Sequence, residues 1–282
     1  MLALRFADQT DDVTRDTSER DLPVRSLALC ARGYLRDRSN GLKSEEKLKQ
    51  MTFNRFKVLT FDIVGTLIDF ETGVLNAFRD IGGKSSENLT DDQIFAPYVA
   101  ARSKYPGRYT DIMRDVYLHV ARELKLPETE VAANYFQASI LSWPAFKDSC
   151  DALKRLRKRF RLVAMTNSDR VHYSSYALTL GDPFHDAVTL DEGRFAKPDH
   201  RFFFYTLGRL SASGFKQEEI LHVAQSQYHD MGVGRELGYA ICWIERRMGK
   251  QGFGGHPHPG TVTKPDYHFG TVRELADAIE RE

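Results

Sequence analysis

The sequence predicts an α/β fold in which helices cover both faces of a mostly parallel sheet and a helical insert follows the first strand. Three observations lead there. Short apolar, β-rich segments alternate with amphipathic helical ones along most of the chain, the pattern that produces parallel strands. Residues 71–141 carry helical periodicity with no strand signal. Polar residues follow directly after the apolar strands, at the edge where such sheets bind ligands.

Residues 1–50 are charged and small polar residues around short apolar patches, and read as a flexible extension; a packed accessory helix over 22–36 is the alternative. The run FKVLTF (56–61) is the first strand and ends at Asp62, followed by Gly65 and Thr66. A helix is expected over 71–81, and 88–141 are mostly helical, with Ile112, Val116, Leu118, Val120 and Leu124 marking one apolar face. Alternation then resumes: helix 147–159, strand 162–165, helix 173–180, strand 187–190, helix 201–210, strand 220–224, helix 230–237, strand 240–243 and helix 271–281. The core is therefore expected from 51–70 and 142–282, with 71–141 inserted between the first two strands.

A chain of 282 residues can bury one large core, or a core with a smaller appended domain. Its net charge of +1 argues against a surface built for polyanions, and the basic run KRLRKRFR (154–161) reads as the solvated face of a helix, so no nucleic-acid partner is expected. Cys30, Cys150 and Cys242 form no CxxC pair, which points away from a disulfide framework or zinc knuckle and towards a reducing cytoplasm. No apolar run approaches the roughly 18 residues that span a bilayer, and Asp8, Asp11, Asp12 and Asp16 disfavour a signal peptide. No membrane partner is expected.

Four separated segments converge by topology on one rim. Asp62, at a strand end before a tight glycine turn, has the placement of a nucleophilic carboxylate, and Thr66 can bond into that turn. Thr166 and Asn167 end VAMTNSD and can hold a carboxylate or phosphoryl oxygen, or cap the next helix. Lys197 in FAKPD can neutralise Asp62 and an anionic substrate together. Asp230 closes HVAQSQYHD, where it can orient water or cap a helix, and Gln225 and Gln227 can present amides to the rim. Asp69 and Glu71 read as helix N-terminal residues. His256 and His258 lie in QGFGGHPHPG, whose composition describes a mobile loop with no fixed carboxylate, so no metal site is expected there; His229 beside Asp230 can tune that carboxylate.

FDIVGTLID, MTN, AKPD and HVAQSQYHD, in this order over about residues 53–282, resemble the haloacid dehalogenase-like hydrolase superfamily, most of all its L-2-haloacid dehalogenase-type branch. The resemblance implies a three-layer Rossmann-like core with 71–141 as a helical cap. It implies Asp62 as nucleophile, with Lys197 and Asp230 catalytic, and Thr66, Thr166 and Asn167 as charge-stabilising groups. Arg102 is the first choice for the cap arginine that clamps the substrate carboxylate, with Arg108 and Arg114 as alternatives.

Two departures weigh against phosphatase chemistry. The position two after the nucleophile, where phosphatases carry a general acid, is Val64; the first acidic position of their fourth motif is Gln225. Three positions depart from the dehalogenase branch: Gln225 and Gln227 stand for its serine and asparagine, and Phe203 for its tyrosine. The leading expectation is hydrolysis at the α-carbon of a small carboxylic acid, as in an (S)-2-haloacid dehalogenase, through an aspartyl ester and with no cofactor. A Mg²⁺-dependent phosphatase or phosphonatase, and a non-catalytic binding protein, are the alternatives. The expected partner is a small anionic organic substrate, and a homodimer fits the branch.

Overall fold

The computed structural model describes residues 52–105 and 107–282; the extension expected over 1–50 lies outside them. Six parallel strands form one sheet in the order β3-β2-β1-β4-β5-β6. They are β1 Val58–Phe61, β2 Arg161–Met165, β3 Asp186–Val188, β4 Ile220–Ala224, β5 Ala240–Ile244 and β6 Tyr267–Phe269. Five of the six stand where the alternation of elements puts them. The sixth, YHF, is too short to declare a period and is recruited by pairing alongside Cys242–Ile244.

β1 is buried along its whole length, with β2 on one side and β4 on the other. Strand order reverses there, so the chain diverges around the carboxyl ends of β1, β2 and β4 and leaves a crevice. Two apolar layers flank the sheet. One centres on Phe61, Leu162, Val223 and Cys242; the other on Val163, Phe202, Phe203 and Ile241. Alternate residues of each strand feed opposite layers, as the two-residue period requires.

Between β1 and β2 lie α1 Phe70–Gly82, α2 Asp91–Arg102, α3 Tyr109–Leu124, α4 Glu130–Ser139 and α5 Ser149–Leu156. Asp69 caps α1 by accepting from Thr72 N–H at 3.1 Å, and Thr90 with Gln93 forms a reciprocal capping box on α2. The buried face of α3 is Met113, Val116, Tyr117, Val120 and Ala121. This differs from the expected face at Ile112, Leu118 and Leu124, which are only partly buried, because the seam is set by aromatic packing: Phe78 lies 4.7 Å from Phe136 and 5.5 Å from Tyr117, ring centre to ring centre.

After β2 come α6 Arg170–Thr179, the short α7 Leu190–Gly193, α8 His200–Ala212, α9 Gly232–Glu236 and α10 Val272–Glu280. The basic run contributes clamps to this last helix: Arg155 pairs with Asp277 and Glu280, and Arg159 donates to Ile279 O. Those side chains have structural partners, as a solvated helix face permits. Among the described residues no helix is long and apolar enough to cross a membrane.

Candidate active site

Asp62 leaves β1 with its carboxylate held at both oxygens. Lys197 Nζ donates to Oδ1 at 2.8 Å, and the Thr66 hydroxyl donates to Oδ2 at 2.6 Å. Thr66 Oγ1 also accepts from Gln225 N–H at 2.8 Å, which leaves its own proton for Asp62 and fixes the direction of that bond. Gly65 adopts φ +90° in this turn, a conformation that glycine alone adopts without strain.

Lys197 is buried and its ammonium is fully engaged. Besides Asp62 it donates to Asp230 Oδ1 at 2.7 Å and to Met165 O at 2.8 Å. Asn167 holds the lysine's backbone from both ends: its Oδ1 accepts from Lys197 N–H at 2.7 Å and its Nδ2 donates to Lys197 O at 2.9 Å. A Lys197–Pro198 cis peptide follows.

Asp230 lies in a single π-helical turn over Gln227–Met231, between β4 and α9. His222, in the middle of β4, contacts Asp230 Oδ1 through Nε2 at 3.0 Å and Thr60 Oγ1 through Nδ1 at 2.9 Å. An ionised Asp230 accepts only, so Nε2 carries the proton in that bond. Asp230 Oδ2 is buried with no partner among the described residues.

Two carboxylates share one ammonium, and their environments separate them. Burial raises the Asp62 pKa above its ordinary value; Lys197 opposes this and the Asp230 charge adds to it. Burial also works against the Asp230 charge, but Lys197 and the His222 hydrogen bond outweigh it and hold this carboxyl below its ordinary range. Lys197 is raised despite burial by Asp230 and Asp62. Asp230 is thus the permanently charged anchor, and Asp62 the carboxylate with the higher affinity for an electrophile or a proton.

These groups line a cavity of about 640 Å³, together with Val64, Thr166, Asn167, Arg102, Arg108 and two histidines, His229 and His256. Arg102 reaches it while donating to Gly255 O at 3.0 Å; Arg114 turns away to pair with Glu130. Thr166 lines the cavity, and its Oγ1 accepts from Ser168 N–H at 3.1 Å.

Gln225 and Gln227 depart from their expected roles at the rim, since neither lines the cavity. Gln227 is buried and grips the backbone of Thr263, accepting from its N–H at 2.8 Å and donating to its carbonyl at 3.3 Å. Gln225 contributes main-chain contacts, to Thr66 and from Trp243 Nε1. Asn167 lines the cavity, but its amide is spent on positioning Lys197. The extra methylene that separates glutamine from asparagine lets Gln227 reach across to the β5–β6 connection.

That connection also corrects the mobile-loop expectation. It folds back over the site: Phe70 packs edge-on against His256 at 5.4 Å, and His256 Nε2 is buried. His229 lies 5.9 Å from it, ring to ring. Burial pushes the pKa of His229 down to about 4 and that of His256 down to about 3, so both rings are neutral at physiological pH.

Residues 56–238 match the family model of the haloacid dehalogenase-like hydrolases. The chain belongs to that family. Haloacetate dehalogenase H-2 of Moraxella sp. (strain B) is 23% identical over 198 residues, covering 68% of this chain and 87% of that one. The 5-amino-6-(5-phospho-D-ribitylamino)uracil phosphatase YigB of Escherichia coli is 26% identical over 217 residues, covering 69% and 86%. The solved L-2-haloacid dehalogenase of Xanthobacter autotrophicus superposes with a TM-score of 0.60 at 17% identity, covering 80% of this chain and 98% of its own. Dehalogenases and a phosphatase thus stand at similar distances from this haloacid dehalogenase-like hydrolase, and its own residues must separate the two chemistries.

Proposed function

We propose that this hydrolase displaces a leaving group from the α-carbon of a small carboxylic acid, as an (S)-2-haloacid dehalogenase does, using Asp62 as nucleophile. One observation carries the reading: a buried carboxylate poised between Lys197 and Thr66 faces a cavity in which position 64, beside it, is an apolar valine. Phosphate ester hydrolysis needs a proton for the departing alkoxide, and a halide needs none.

An Asp62 oxygen attacks the α-carbon as the bond to the halide breaks, inverting the carbon and forming an aspartyl ester. Lys197 holds the carboxylate in place, and Arg102 is the cation at hand for the substrate carboxylate. Water then attacks the ester carbonyl, and the Lys197 ammonium and Thr66 hydroxyl stabilise the oxyanion. The partnerless Asp230 Oδ2 orients that water and relays its proton, which passes to the product oxygen as the aspartyl carbonyl expels it and leaves Asp62 as the free carboxylate. Helices α1–α4 act as the cap that excludes bulk water from the ester.

The donor set is a poor one for Mg²⁺. Asp62 and Asp230 each give one oxygen to the ammonium between them, Gln225 does not line the cavity, and no group of three histidine, cysteine or carboxylate side chains converges among the described residues. Lys197 already supplies the positive charge that the metal would bring. A metal-independent reaction follows from this reading. Its test is chloride release from L-2-chloropropionate in EDTA: wild-type enzyme releases chloride in proportion to its concentration and Asp62→Asn releases none. Activity appearing only with Mg²⁺, on phosphate esters, would overturn it.

A further inference from the structure

We infer that His256 Nε2 is the hydrogen-bond donor to the group that leaves when Asp62 attacks, an inference that rests on the displacement reading above. The β5–β6 connection carries this residue into a cavity also lined by Asp62, Lys197 and Asp230. Nε2 is buried there with no partner among the described residues, so a bound atom would complete it.

The loop is built to hold the ring in place. A methyl group on Gly65, three residues beyond Asp62, would lie 2.6 Å from His256 Nε2, so the imidazole sits directly against the nucleophile's own turn. A side chain at Gly255 would meet Phe70 at 2.6 Å, and one at Gly254, where φ is +62°, would collide with Glu71. Only glycines let the loop pass this close to α1. Arg102 bonds Gly255 O at 3.0 Å, and Arg247 ties the same loop to Glu71 at 2.7 Å.

Gln227 is committed to Thr263 and His229 Nδ1 to Ser226 at 3.1 Å, and of the donor atoms on residues lining the cavity His256 Nε2 is the one buried with no partner among the described residues. A neutral ring offers an N–H dipole without giving up its proton. The step balances on that basis. The Asp62 Oδ–Cα bond forms, the Cα–halogen bond breaks, and its electron pair leaves as halide, hydrogen-bonded to Nε2–H with no proton transferred. Such a donor matters more for chloride, the stronger acceptor, than for bromide.

The test compares L-2-chloropropionate and L-2-bromopropionate in EDTA, using wild type, His256→Phe, which keeps the packing on Phe70, and His256→Gln, which keeps an N–H donor. Removing a charge-assisted hydrogen bond that forms with the leaving group predicts a loss of roughly tenfold or more in kcat/KM for chloride in His256→Phe, with a smaller loss for bromide and partial recovery in His256→Gln. Line broadening of ³⁵Cl NMR by the enzyme with 2-hydroxypropionate reads the same site without turnover, and is expected to disappear in His256→Phe. An unchanged chloride-to-bromide ratio in correctly folded variants overturns the inference. Wild type that releases no halide, yet broadens chloride in a His256-dependent way, sinks the displacement reading and leaves the anion site standing; neither turnover nor broadening sinks both.

Discussion

Removing the Lys197 ammonium tests the charge arrangement of the site directly. Its Nζ makes three buried contacts, at 2.8, 2.7 and 2.8 Å, with Asp62, Asp230 and Met165 O. Lys197→Met keeps the stem and deletes the charge, leaving two carboxylates in a buried pocket with no cation between them. Breaking a buried pair in this way costs about 3–5 kcal/mol. The loss depends on pH with a definite sign. Asp62 already has a raised pKa, and without Lys197 it rises further, so as pH falls Asp62 takes a proton and the penalty shrinks. Urea unfolding at neutral and mildly acidic pH measures this in wild type, Lys197→Met, Asp62→Asn and the double variant. The coupling energy should be at least about 1 kcal/mol, with the lysine variant recovering stability when Asp62 is neutral. Equal losses in both backgrounds, or a loss independent of pH, would refute the shared-ammonium description.

Other consequences follow from the same geometry. The acid limb of kcat/KM should fall above the ordinary carboxylate value, because Asp62 must be ionised to attack and burial raises its pKa; a pH–rate profile with a limb at or below that value contradicts this. Gly65→Ala should lower stability by about 1–3 kcal/mol from backbone strain and abolish most activity, since the methyl would also press on His256; thermal melts and turnover check both. Gln227→Ala should raise KM and loosen the β5–β6 connection by removing both bonds to Thr263, which hydrogen exchange at Thr263 would register.

Much of the core was legible because parallel strands buried on both faces are short apolar runs that end in polar residues. Asp62, Thr166, Lys197 and Asp230 were placed by that rule, and Asp62, Lys197 and Asp230 meet within hydrogen-bond reach. What the sequence concealed is how side chains are spent once they arrive. Asn167 has the chemistry of a substrate ligand and is used to hold a backbone. Gln225 and Gln227 follow a strand end, yet Gln225 contributes its main chain and Gln227, which opens the π-helical turn, bonds Thr263. His256 was obscured for another reason: glycine and proline around it signal flexibility in any local reading, whereas here the glycines permit close passage against Phe70 and Glu71. The length of the connection, from Glu245 to Asp266, was the available clue, since long loops in compact domains are often functional.

The central claim is that Asp62 forms a covalent ester which water then cleaves at the aspartyl carbonyl. A single turnover of L-2-chloropropionate with excess enzyme in H₂¹⁸O, followed by mass spectrometry of the product and of the peptide containing Asp62, tests it most directly. The account predicts unlabelled 2-hydroxypropionate and ¹⁸O in the Asp62 peptide. Label in the product with none in that peptide would mean that water attacks the substrate itself, and would contradict the account.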